Sequence, residues 1–202
     1  MTVTDPASTD AEDFDVERWR ADLEANRAEK DRFFAEHPQS PVPPDERDAF
    51  DGLAYFEPDP TYRVRATLTV HEEPEPVTME TTAGRELRYE RAATLRFQLE
   101  RDDPDLADGR FELAAYLPTT GEPVFFVPFR DKTTGQQSYT GGRYMELAVE
   151  DGLDDLETGD ELVLDFNLAY TPFCAFSETF ECPLPPEENW LAVAVPAGER
   201  AP

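Results

Sequence analysis

The sequence predicts a mainly β protein: an antiparallel β-barrel or sandwich of about eight strands, with one N-terminal α-helix packed outside it. Three observations carry that expectation. Apolar and polar residues alternate with a period of two from Tyr62 onward. Turn-forming clusters (Pro74–Pro76, Ala83–Gly84, Asp102–Gly109, Pro118–Gly121 and Asp151–Gly159) interrupt that alternation at short intervals. Helical spacing of apolar residues occurs only ahead of it, before Pro38.

Residues 1–10 are small and acidic and read as a disordered tail. A helix is expected over 11–37. Thr9 and Glu12 have capping-box spacing, and Asp13 is a rival cap. Val16, Trp19, Leu23 and the Phe33/Phe34 pair fall near one helix face. Arg18/Asp22, Arg20/Glu24 and Arg27/Asp31 are i,i+4 partners assigned to the wet side. Residues 38–61 form a proline-rich connector ending in an apolar patch of Phe50, Leu53, Tyr55 and Phe56. The antiparallel β domain, 62–200, makes a single domain with the helix. Within it Val64, Ala66, Leu68 and Val70 alternate with Arg63, Arg65, Thr67 and Thr69, and Leu95, Phe97 and Leu99 alternate with polar neighbours. The other candidate strands are 76–82, 85–91, 111–117, 123–129, 142–150, 160–168 and 190–195.

The charge narrows function. Asp and Glu number 45 against 18 Lys and Arg, a net charge of −27. Such a surface repels phosphates, so neither nucleic acid nor an anionic membrane is expected as a partner. No apolar run approaches the roughly 18 residues of a membrane helix, and Met1–Asp15 has no apolar signal core. The expected compartment is the cytoplasm, and the expected state is a monomer or homodimer. Only Lys30 and Lys132 are lysine. Scattered acids with few lysines fit a surface that stays hydrated in concentrated salt. At about 1 M salt the Debye length falls to roughly 3 Å, which screens the self-repulsion.

The richest polar segment is the loop Arg130–Gly142, between two apolar strands. Arg143 follows it and shares a strand face with Met145, Leu147 and Val149. An arginine there cannot lose its proton, so it needs a carboxylate or an anionic ligand. Asp165 and Asn167 lie among apolar residues in strand 160–168 and offer partners, with Tyr139 or Asp131 joining them. One reading is a buried structural ion pair, the other a binding site. Cys174 and Cys182 permit three states: paired thiols, a local disulfide, or two metal ligands. Zinc would need two more ligands, and the two histidines, His37 and His71, are both distant in sequence. No metal is expected, and the same scarcity of histidine removes the usual base for a cysteine nucleophile. The spacings G-x-x-x-x-G-K-[ST], G-x-G-x-x-G, H-E-x-x-H and G-x-S-x-G are absent, so no cofactor is expected.

A long set of residues resembles a known family. It comprises Phe129-x-Asp131-x-Thr133-Thr134-Gly135-x-x-x-Tyr139-x-Gly141-Gly142-Arg143-Tyr144, then Leu164-Asp165-Phe166-Asn167-x-Ala169-Tyr170-x-Pro172-x-Cys174-Ala175-Phe176. Cys182-Pro183-Leu184-Pro185-Pro186-x-x-Asn189 and Ala197-Gly198-Glu199 complete it. The pattern is similar to a prokaryotic domain of unknown function numbered sixteen eighty-four. Thr171 departs from it, since Asn more usually stands there. The resemblance implies no activity, substrate or cofactor. It does carry over Asp131, Tyr139, Arg143, Asp165, Asn167, Tyr170, Cys174, Cys182, Asn189 and Glu199 as signature residues.

Two functions from different classes follow. In the first, a site in the barrel mouth binds a small anionic molecule. Arg143 would hold the anion, Asp165 and Asn167 would orient it, Tyr139 and Tyr170 would supply hydroxyls and ring walls, and Asn189 would complete the ligand-binding set. A catalytic version, hydrolytic or proton-transferring, uses Asp131 or Asp165 as base and Tyr139 as proton donor. In the second, the polar cluster only pins the sheet, and the chain is a non-enzymatic interaction or structural module.

The charge reading predicts that thermal unfolding between about 0.1 M and 2 M KCl moves to higher temperature as salt rises, with loss of compactness on dialysis into dilute buffer. A melting temperature independent of salt over that range overturns it.

Overall fold

The computed structural model describes residues 14–99, 109–119, 124–148 and 155–202. Helix α1 spans Val16–Glu36. Its cap is Asp15, whose carboxylate accepts the Glu17 and Arg18 amides at 3.0 Å each. The expected caps Thr9, Glu12 and Asp13, and the expected tail over 1–10, lie outside the described residues. The helix stops at Glu36 because His37 precedes a proline and is extended, with ψ 139°.

Leu23 and Phe34 are the buried residues of α1. Phe34 is sealed by Phe50, Phe173 and Phe176, with ring centroids 6.0, 5.7 and 5.0 Å away. One expectation fails here. Arg27 and Asp31 are not a solvated i,i+4 pair but hold the connector against the helix. Arg27 Nη1 donates to the Phe56 carbonyl at 3.1 Å, and Asp31 accepts the Leu53 amide at 3.0 Å. Arg18 and Asp22 do approach, at 3.9 Å, in full exposure, where such a pair contributes little.

Six antiparallel strands form one sheet in the order β5-β4-β3-β2-β1-β6. They are β1 (Arg63–Glu80), β2 (Glu86–Gln98), β3 (Arg110–Pro118), β4 (Phe125–Phe129), β5 (Arg143–Leu147) and β6 (Glu161–Asp165). The expected eight or so reduce to six, among the described residues, for two reasons. First, segments separated by turn signals are continuous. The stretch Pro74–Pro76 is no turn but lies in β1 at a register shift between Val70 and Glu75, opposite a second shift between Arg91 and Ala93. Bulges are where a strand tolerates proline. His71 fastens this double irregularity, its ring nitrogens 3.1 Å from the Arg91 carbonyl and 3.0 Å from Thr94 Oγ1. Second, 190–195 is no strand; it makes a single parallel bridge, Arg130 to Trp190.

The sheet curls into a half-barrel. Past β6 the chain makes a 3₁₀ turn (Phe166–Leu168), and Tyr170 then exchanges both backbone hydrogen bonds with Tyr144 of β5 at 2.9 Å. One residue pair thus links the two sheet edges. Period-two alternation gives the sheet two buried faces. Leu68, Leu95, Leu113, Val127, Met145 and Leu164 pack the main core with Phe166, Val193 and Val195. Met79, Tyr116, Phe126 and Tyr144 form a smaller cluster with Cys182 on the other face.

Truncating Phe34, which is 0% exposed, should cost about 3–5 kcal/mol in Phe34→Ala. Amide exchange should then accelerate in α1 and around Phe173 before it does in β2. A cost under about 1 kcal/mol would show that the cage adds little.

Candidate functional site

Asp131 opens the loop after β4 and folds it onto itself. Its carboxylate accepts the Thr133 amide at 3.2 Å, the Thr133 hydroxyl at 2.9 Å and the Thr134 hydroxyl at 3.2 Å. Gly142 closes the loop at φ 91°, where a Cβ would lie 2.7 Å from the Phe129 carbonyl oxygen. Arg143 then enters β5 with its side chain turned inward and 0% exposed. Its Nη2 lies 3.2 Å from Asp131 Oδ1 and donates to the Val195 carbonyl at 2.8 Å. Its Nη1 donates to the Ala197 carbonyl and, at 3.3 Å, to that of Glu199. Asp131 Oδ2 accepts the Val195 amide at 2.6 Å. Burial pulls the guanidinium below its usual pKa range, and Asp131 opposes that pull. The pair thus clasps the C-terminal run Val195–Glu199 with its own atoms.

Asp165 and Asn167 do not join Arg143. Asp165 Oδ1 accepts the Asn167 amide and side-chain nitrogen at 3.0 and 2.9 Å. Its Oδ2 accepts Trp19 Nε1 of α1 at 2.7 Å and faces Arg63 Nε at 3.6 Å. Asn167 also binds both the amide and the carbonyl of Asp59, at 3.0 and 2.9 Å. The single polar cluster expected from the sequence is therefore two networks. Strand order explains it, because β5 and β6 are opposite edges of the sheet.

Tyr170 and Asn189 have separate duties. The Tyr170 hydroxyl donates to Glu146 at 2.6 Å, and Lys30 Nζ sits 4.8 Å over its ring. Asn189 is fully buried, accepting the Ala114 amide at 2.7 Å and donating to the Ala114 and Pro128 carbonyls at 2.9 and 2.7 Å. Strands β3 and β4 share only the pair Tyr116–Phe126, so Asn189 supplies hydrogen bonds that the ladder lacks.

The remaining predicted residues converge. Cys174 lies in the 3₁₀ turn Phe173–Ala175. Cys182 runs beside the β1–β2 hairpin tip, its carbonyl accepting the Thr82 amide at 3.0 Å and its amide donating to Thr82 Oγ1 at 3.3 Å. Both cysteines are free thiols, Cys174 half-buried and Cys182 buried. Tyr139, on the loop that Asp131 and Arg143 bound, places its hydroxyl 3.9 Å from Cys174 Sγ. Hydrogen bonds from Cys182, then from Tyr139 and Thr82, hold the Cys174 thiol down to about 6 against the opposing effect of burial. The Cys182 thiol moves up, by its hydrogen bond to Cys174 and by burial. Burial and the neighbouring Cys174 push Tyr139 up to about 12. Sequence reasoning missed Thr82, which ends the candidate strand 76–82 with nothing to mark it. Among the described residues no group of three His, Cys, Asp or Glu side chains could hold a metal ion, and no helix is long and apolar enough to cross a membrane.

Comparison with known proteins places these residues in company. The family model for a protein of unknown function (DUF1684) matches residues 48–200. Among solved structures, the chain is similar to an uncharacterised protein from the halophile Haloarcula marismortui, determined by solution NMR. The two are 60% identical, with 91% of this chain and 95% of that chain covered and a TM-score of 0.68. No curated protein matches.

Removing one partner of a sealed ion pair leaves an uncompensated charge. Asp131→Ala should therefore lose roughly 3–5 kcal/mol in denaturant unfolding. Replacing both partners by apolar residues, Asp131→Leu with Arg143→Met, should cost less than that single change. Equal or greater loss in the double variant would mean that the clasp on Val195–Glu199, not the charge pairing, dominates.

Proposed function

Since this chain belongs to the DUF1684 family of proteins of unknown function, which brings no activity with it, we propose that its chemistry resides in Cys174, held as a thiolate nucleophile toward a small electrophile. One observation carries this reading: the Tyr139 hydroxyl lies 3.9 Å from a half-buried sulfur whose pKa is held down by hydrogen bonding, chiefly from Cys182. The thiolate is the reactive form of cysteine, and donors that stabilise it take over the part a histidine usually plays. Tyr139, expected from the sequence as a proton donor, here serves as a hydrogen-bond donor to the thiolate and to whatever leaves it.

Several features favour this locus over an anion site at Arg143. The Arg143 guanidinium has no exposure, and its terminal nitrogens are engaged with Asp131 and three backbone carbonyls. Asp131 and Asp165, the expected bases, receive donors from their own surroundings on both oxygens. These bonds within the scaffold favour the structural alternative for those side chains, while Cys174 is only half-buried.

Iodoacetamide labelling followed by peptide mapping tests the reading. Cys174 should alkylate with a rate that rises through a pH of about 6, because the thiolate fraction grows above that value. An ordinary thiol has its midpoint near 8.5. Tyr139→Phe removes one donor and should move the Cys174 midpoint upward. A midpoint in the ordinary range for the intact protein overturns the proposal.

A further inference from the structure

The second thiol gives the first a specific partner. Cys182 belongs to the buried cluster against which Cys174 packs, is buried where Cys174 is half exposed, and is held in place by both its backbone amide and its carbonyl on Thr82. Resting on the nucleophile reading above, we infer that Cys174 and Cys182 form a dithiol–disulfide couple that reduces small uncharged disulfides. Cys174 is the attacking thiol and Cys182 the resolving one.

The chemistry balances with nothing further supplied. The Cys174 thiolate attacks one sulfur of the substrate disulfide. An S–S bond forms, the substrate S–S bond breaks, and the departing thiolate takes a proton from solvent. Cys182 then gives its proton to solvent and attacks Cys174 Sγ. The Cys174–Cys182 bond forms and the second substrate thiolate leaves and is protonated. The substrate gains two electrons and becomes two thiols, and the protein dithiol loses the same two. The order of events follows from the environment. Cys182 is held protonated chiefly by its hydrogen bond to the charged Cys174 sulfur, and that hold disappears once Cys174 is in a mixed disulfide. Tyr139 remains 3.9 Å from the sulfur undergoing exchange and can donate to the leaving group.

The surroundings select the substrate class. Val77, Tyr89 and Tyr170 pack with Cys174 against the cluster that contains Cys182, and Tyr139 stands beside it. This largely apolar neighbourhood suits a small, partly apolar molecule. The acidic excess of the chain disfavours an anionic disulfide.

Hydroxyethyl disulfide is the probe, used with the full chain in concentrated KCl. The intact protein should release two equivalents of mercaptoethanol, lose both free thiols, and yield a peptide pair joined through Cys174 and Cys182. Cys182→Ser should stall after one equivalent, as a mixed disulfide on Cys174, and Cys182→Ala guards against a folding defect peculiar to serine. Cys174→Ser should slow the first release at least tenfold. If the intact protein ends as mixed disulfides with no joined peptide while Cys174 still alkylates with its low midpoint, the couple is refuted and the nucleophile reading stands. If Cys174→Ser reacts as fast as the intact protein, both are refuted.

Discussion

The Asp131–Arg143 pair is the interaction on which the rest depends. Burying a charged pair is costly, and mutual attraction seldom recovers that cost unless further hydrogen bonds satisfy both partners. Here the further bonds come from the backbone of Val195–Glu199. That run covers the core but belongs to no strand, so no ladder satisfies its polar groups. Leaving them unpaired in the interior would cost about as much as the hydrogen bonds are worth. One guanidinium with fixed, divergent donors answers several carbonyls at once, which lysine could not do. The side chain performs the duty of a missing strand.

The same device recurs at smaller scale. Asn189 joins β3 to β4 where the two strands share a single residue pair. His71 spans the paired irregularities of β1 and β2. Asn167 and Asp165 tie the end of β6 to the connector and to α1. In each case a short polar side chain completes a backbone that has left regular geometry. Much of the polar signature of the sequence thus bonds irregular segments.

These supports also place the thiols. The loop carrying Tyr139 is gripped at its start by Asp131 and at its end by Arg143, and the two grips are one ion pair. Tyr144, next to Arg143, bonds to Tyr170, and that pairing fixes the chain a few residues ahead of Cys174. Its hydroxyl reaches the Pro183 carbonyl, beside Cys182. Tyr139 comes from one part of the chain and Cys174 and Cys182, eight residues apart, from another, and each is within a short span of a contact made by Arg143 or its neighbour. The geometry around the sulfur therefore depends on a clasp made elsewhere in the fold.

Local patterning made much of this legible. Period two announced the strands, helical spacing announced α1, and an arginine on an apolar strand face announced that a buried partner must exist. Glu199 shows where such reasoning stops. It is buried, accepts the Thr171 amide at 2.8 Å and pairs with Lys30 of α1, and nothing within a few residues of it reveals either contact. Prolines and charged pairs misled for the same reason. Pro74 and Pro76 look like a turn until a matching irregularity in the neighbouring strand absorbs them, and Arg27 and Asp31 look solvated until the connector folds over them. Residue character was legible along the chain: that one helix and a set of strands form, which faces are apolar, and that a permanently charged group lies inside. Only the tertiary structure decided partners. Strand order separated Arg143 from Asp165, and chain closure brought Tyr139 to Cys174. Periodicity is written along the chain, whereas contact depends on which distant segments the sheet sets side by side.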